Sequence, residues 1–139
     1  MQRSFIWTTY LVLSCAAFVQ AQEVKHVPAP YTNPGSGQEM YRAYCASCHG
    51  VDGKGNGPAA SALKARPTDL TRLAVLNKRV FPEPRVYHAI EGEPALSSHG
   101  SKDMPVWGPV FSSLSSQTNL EVKLRISNLV KYVETMQEK

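Results

Sequence analysis

Two cysteines separated by two residues, with a histidine directly after the second, constrain this chain more than any other feature. The stretch is Cys45-Ala46-Ser47-Cys48-His49. Such spacing reads as a site of covalent haem attachment. Each thiol adds across one vinyl group of a porphyrin and leaves a thioether. Two intervening residues make about one helical turn, so both sulfurs reach the same ring edge. His49 then falls under the iron as an axial nitrogen ligand. Two other chemistries use paired thiols. A structural zinc site wants four ligands, and there is no second cysteine pair to supply them. A thioredoxin-like pair wants a strand before it and a βαβ pattern around it, and neither is legible here.

The chain has 139 residues, room for one domain and a leader. At 42% hydrophobic and 19% charged residues it has the composition of a globular domain. A domain of this size has a limited core of its own, and a covalently held haem would add a large apolar group to it. The third cysteine, Cys15, lies in the apolar leader, so no structural disulfide is expected.

Residues 1–21 read as an export signal. Arg3 is the only charge before Glu23, an apolar run spans residues 5–19, and Val19-Gln20-Ala21 offers a cleavage point before Gln22. The run is shorter than the ~20 residues a membrane span needs and contains Thr8, Thr9 and Ser14. The alternative is Val12-Leu13-Ser14-Cys15, which resembles a lipoprotein box and would turn Cys15 into a lipidated membrane tether. Both outcomes export the chain, to a periplasmic or equivalent compartment. Removing residues 1–21 leaves 14 Lys and Arg against 11 Asp and Glu, a net +3. That balance gives no argument for a polyanionic partner, and no nucleic-acid motif is present.

Residues 22–35, with Pro28, Pro30 and Pro34, read as a tether or an N-terminal arm; the domain proper is expected over residues 36–139. Ser36-Gly37-Gln38-Glu39 has the form of a capping box, and a helix carrying Met40, Tyr41 and Tyr44 on one side runs into the cysteine motif. Four glycines follow within residues 50–57, expected as a tight loop near the haem edge, and Pro58 opens a short helix over residues 59–65. A helical turn is expected from Thr68 through Ala74, and a third helix over residues 86–91, stopped by Gly92. Residues 93–117 read as loop. Thr118 and Glu121 form a second capping box, opening a last helix to about Gln137. Its apolar face is Val122, Ile126, Leu129, Val130 and Val133. No strand, repeat or second domain is legible, which makes the fold class all-α. Between Lys64 and Arg85, six Lys or Arg stand against Asp69 and Glu83, either a solvated face or a docking face for an acidic redox partner.

What occupies the iron's sixth position decides between electron carrier and reactive haem. Met104 is the best candidate. It sits in a loop stiffened by Pro105, and its soft thioether suits a low-spin iron. His99 is the main rival; His88 and His26 are weaker. With both axial positions filled, the iron changes oxidation state without binding substrate.

These pieces together resemble a class I monohaem c-type cytochrome of the bacterial type. The resemblance rests on Gly37 and Tyr41 before the cysteine motif, Gly55-Asn56-Gly57-Pro58 after it, Asp103-Met104-Pro105-Val106-Trp107-Gly108 late in the chain, and Tyr132 in the last helix. It covers roughly residues 36–138. It implies about four to five helices wrapped round one covalent haem c, with the first and last helices crossing at Gly37 and Tyr132. It implies that the Pro58 carbonyl orients the His49 ring and that Trp107 lies near the haem. The implied function is one-electron transfer in a respiratory chain with His49/Met104 ligation, between a donor complex and an oxidase or reductase acceptor. The alternatives are a haem subunit fixed in a larger respiratory or dehydrogenase complex, and a peroxidase-like enzyme.

Overall fold

The computed structural model describes residues 28–92, 104–114 and 119–138. The leader with Cys15, and also His26, His99, Asp103 and the Thr118 cap, lie outside the described residues. Those described are helical or irregular, with no strand among them.

A continuous helical run covers residues 37–49. It comprises α1 (Gly37–Met40), a π-helical turn (Tyr41–Cys45) and α2 (Ala46–His49). Ser36 caps it, its Oγ accepting from the Glu39 backbone at 3.2 Å. The reciprocal half of a capping box is absent. The Glu39 carboxylate instead accepts from the Asn33 N–H at 3.2 Å, because Ser36 N–H is already turned to the Asn33 carbonyl. The wider turn ends on the first thiol, Cys45. Such turns occur mostly as single interruptions of α-helices and often at functional sites.

Downstream come 3₁₀ turns at Ala60–Ala62 and Leu70–Arg72, then α3 (Leu73–Leu76), α4 (Glu83–Glu91), α5 (Trp107–Leu114) and α6 (Asn119–Thr135). The helix expected over residues 59–65 is only the 3₁₀ turn at Ala60–Ala62. The third helix starts earlier than expected, at Glu83, and ends where Gly92 takes the left-handed conformation at φ 95°.

The largest departure is α5, in a stretch whose Gly108 and Pro109 suggest a loop. Pro109 falls in the first turn, where a missing N–H costs no helical bond. Trp107, Phe111 and Leu114 then share one face; Phe111 is fully buried, and Tyr44 packs on both Trp107 and Phe111. A Cβ on Gly108 would sit 2.7 Å from the Glu91 carbonyl oxygen, so the start of α5 rests against the end of α4.

Helices α4, α5 and α6 pack on one another, and α1 crosses α6. A Cβ on Gly37 would collide with the Asn128 carbonyl and lie 2.8 Å from Tyr132 Cβ. The Tyr132 ring stacks at a tilt on Tyr41, centroids 5.3 Å apart. The crossing expected at Gly37 and Tyr132 is therefore present. Ile126, Leu129, Val130 and Val133 are buried on α6 as its periodicity requires. Each such side chain stabilises the fold by ~1.5–3 kcal/mol.

One buried residue breaks that pattern. Arg125 has no exposed surface. Its guanidinium meets Glu121 at 2.9 Å, the Thr32 carbonyl at 3.0 Å and Thr32 Oγ1 at 3.1 Å, and stacks over Tyr31. Tyr44 donates to the Pro30 carbonyl at 2.6 Å and Asn128 to the Pro34 carbonyl at 2.8 Å. Residues 30–34 are thus strapped across α6 and the first helical run.

Candidate functional site

The helical run through residue 49 carries both thiols and the histidine, so one rigid element sets their relative positions. Cys45 and Cys48 are half-buried free thiols. Burial, with Cys48 nearby, pushes the Cys45 thiol up to about 12.

Gly50 ends α2 at φ 79°, and the glycine loop folds straight back over that end. Gly50, Gly55, Gly57 and Ala59 donate to the carbonyls of Ala46, His49, Cys48 and Ser47, at 2.8–3.1 Å. These are the carbonyls a helix end leaves without intrahelical partners. A Cβ on Gly57 would lie 2.6 Å from the Ala46 carbonyl, and one on Gly55 would collide with that of Pro67. The glycines are therefore required by close approach of backbone to backbone. The haem edge expected to explain them is not needed for that account.

This folding-back decides what holds His49. Its Nδ1 lies 3.0 Å from the Thr68 carbonyl oxygen. A carbonyl only accepts, so Nδ1 carries the proton and the Nε2 lone pair remains available as a ligand. Burial lowers the pKa of the ring, and the hydrogen bond to Thr68 offsets only part of that. The neutral, ligating form is favoured. The Pro58 carbonyl does not take this role. The return of the loop along α2, with Ala59 bonded to Ser47, leaves Pro58 exposed beside that helix.

The segment behind the ring is braced from several sides. Leu70 N–H donates to the Gly53 carbonyl at 2.7 Å. Gln137 donates to the Leu70 carbonyl at 2.7 Å and accepts from Ala74 N–H at 2.9 Å. Asp69 caps the turn, with Oδ1 accepting from the Thr71 N–H at 3.0 Å and its hydroxyl at 2.6 Å.

Met104 is 39% exposed and Val106 49% exposed, just before α5. Trp107 is half-buried, with its ring 5.3 Å from that of Tyr44. His88 is engaged on α4, its Nδ1 3.5 Å from the Glu91 carboxylate. Cys45, Cys48 and His49 are brought together on one helical run, whereas Pro58 is displaced from the histidine. Thr68 went unseen in the sequence because it acts through a backbone carbonyl, which any residue supplies. Its only trace is a Pro-Thr pair before a capped turn.

This donor set fits a covalently attached haem. Two thiols stand about a turn apart and a neutral imidazole leaves Nε2 free of a proton. Among the described residues no group of three or more His, Cys, Asp or Glu side chains gathers to hold a metal ion in another way.

A family model described as cytochrome c oxidase, cbb3-type, subunit III matches residues 32–118. The match begins at the buried Thr32, contains the cysteine motif and reaches past α5. No curated protein and no solved structure matches the chain.

Proposed function

The chain belongs to the family of the cbb3-type cytochrome c oxidase subunit III, a family of electron-transferring c-type cytochrome domains, and from this premise we propose how it carries the electron. Cys45 and Cys48 would hold one haem c through thioethers, and His49 and Met104 would bind its iron. The bound haem supplies an iron that takes up and releases one electron. The protein's part is to keep the ligands still, so that little reorganisation accompanies the transfer. The observation that carries this reading is the 3.0 Å hydrogen bond from His49 Nδ1 to Thr68. It sets the tautomer, leaves Nε2 without a proton and raises the basicity of the ligand. A thioether opposite an imidazole raises the reduction potential, as suits a respiratory electron carrier.

In this reading residues 1–21 direct export and are removed before Gln22. The mass of the mature N-terminus tests that against a lipidated Cys15. The family description also favours a second reading, in which the domain is a fixed haem subunit of an oxidase complex, not a diffusing carrier.

Absorption spectra of the purified holoprotein, oxidised and reduced, test the ligand set. The wild type should be low-spin with a thioether–iron charge-transfer band, and Met104→Ala should lose that band. A high-spin wild type that binds carbon monoxide would overturn the His/Met assignment.

A further inference from the structure

Immediately after α3 the backbone makes an unusual turn. Lys78 (φ 56°) and Arg79 (φ 65°) are consecutive residues in the left-handed region. Glycine adopts that conformation without strain, and residues bearing a Cβ do not. The turn is nonetheless well closed. Asn77 and Arg79 N–H groups donate to the Ala74 carbonyl at 3.1 and 2.8 Å, Val80 N–H to Asn77 at 3.0 Å, and the Asn77 side chain to Val80 at 2.8 Å. Two glycines would make the same turn more cheaply. What lysine and arginine add is their side chains, and among the described residues neither makes an ion pair. Backbone strain of this kind concentrates at functional sites.

The flanks are apolar and outward. Leu76 is 71% exposed and Val80 64% exposed. One exposed aliphatic residue is ordinary. Two of them bracketing two cations, on a tight hydrogen-bonded turn, have the composition of an interface: a small apolar centre with a charged rim. The surrounding sequence is cationic, with Asp69 and Glu83 the only acids over residues 64–85 and Asp69 committed to Thr71. The turn also continues the segment whose Thr68 carbonyl holds His49.

We propose that the 76–80 turn is the docking surface for a redox protein with an acidic face, the cations steering its approach and Leu76 and Val80 forming the dry contact. A protein fits better than a lipid surface, because the turn is closed by its own hydrogen bonds, has only two aliphatic side chains, and belongs to a domain whose work is to pass an electron to another redox centre. The proposal rests on the electron-transfer function of the domain and not on the identity of the sixth ligand.

The test uses the oxidised holoprotein in stopped-flow reduction by two donors: reduced flavodoxin, a small acidic redox protein, and photoreduced riboflavin, a neutral small molecule. The variants are Lys78→Gly with Arg79→Gly, and Leu76→Ser with Val80→Ser. The glycine pair should keep or raise the Tm, since it relieves the turn. It should lower the flavodoxin rate constant about tenfold at low salt, with the difference closing as salt rises. The serine pair should lower that rate at every salt concentration. Riboflavin should reduce all three proteins at the same rate. An unchanged flavodoxin rate in both variants would overturn the proposal, as would an equal loss with riboflavin, which would mean altered haem exposure. Loss of binding to phosphatidylglycerol-containing vesicles, with flavodoxin rates intact, would assign the turn to a membrane instead. A wild type that neither donor reduces would overturn the carrier reading itself.

Discussion

The His49 ring donates through Nδ1 to the backbone carbonyl of Thr68 at 3.0 Å, across nineteen residues of sequence. The acceptor belongs to the main chain, so no side-chain deletion at residue 68 removes it. Its position is set by neighbours: the glycine loop beneath Pro67, and the α6 end that anchors Leu70 and Ala74.

Gly55→Ala should disturb this arrangement from the side. Gly55 has φ 71°, and its Cβ would collide with the Pro67 carbonyl. We expect a loss of about 1–3 kcal/mol for the strain and overpacking together, read by urea denaturation. A redox titration should show a shifted potential, because the hydrogen bond to His49 lengthens. An unchanged potential with full loss of stability would mean that residues 67–68 do not tune the ligand.

Cys45→Ala combined with Cys48→Ala should leave any retained haem extractable by acid acetone, whereas the wild type keeps its haem on the polypeptide. Haem that stays covalent in the double variant would show that the attachment site lies elsewhere.

Arg125→Met should destabilise the protein by about 3 kcal/mol, the low end for breaking a buried pair, because Arg125 is fully buried while its partner Glu121 is a quarter exposed. The loss includes the Thr32 carbonyl and hydroxyl, which Arg125 satisfies at 3.0 and 3.1 Å. Limited proteolysis should find cleavage near residues 28–35 faster in this variant, since Arg125 holds that segment. Cleavage at the wild-type rate would refute the strap.

Asp69 supplies a pH-dependent contribution. Burial pushes its carboxyl up, but hydrogen bonds from the Thr71 hydroxyl and N–H, with Arg72 and Lys54 nearby, outweigh that and lower it. The folded value therefore lies below the unfolded one of about 3.9. Stability from the ionised cap is fully present above that unfolded value and is lost as pH falls through the folded one. Asp69→Ala should cost about 1 kcal/mol at pH 6 and progressively less toward pH 2, measured by urea midpoints.

Much of this was legible in the chain itself, for reasons that are local. The cysteine motif declares its chemistry because helical geometry alone relates Cys45, Cys48 and His49. The α6 stripe is legible because burial of one helix face imposes its period. Gly37 is legible as a crossing point only through the family resemblance, and the structure supplies the reason: its missing Cβ lets it meet the Asn128 carbonyl. Arg125 is not, because it sits beside the apolar stripe and is buried only when residues 30–34 fold over it. Nor is α5, whose glycine and proline argue for a loop until Phe111 finds Tyr44 and the α6 core.

The sequence by itself determined that two thiols and a histidine stand together on one helical run, within an all-helical domain. These are properties of neighbouring residues, and short-range geometry suffices to impose them. The tertiary structure alone decided how that histidine is aimed. The loop after the motif folds back because glycines let it meet the helix's last carbonyls, and this carries Pro58 away and brings Thr68 up behind the ring. A backbone carbonyl has no letter of its own in a sequence, so its partner is chosen only when distant segments pack.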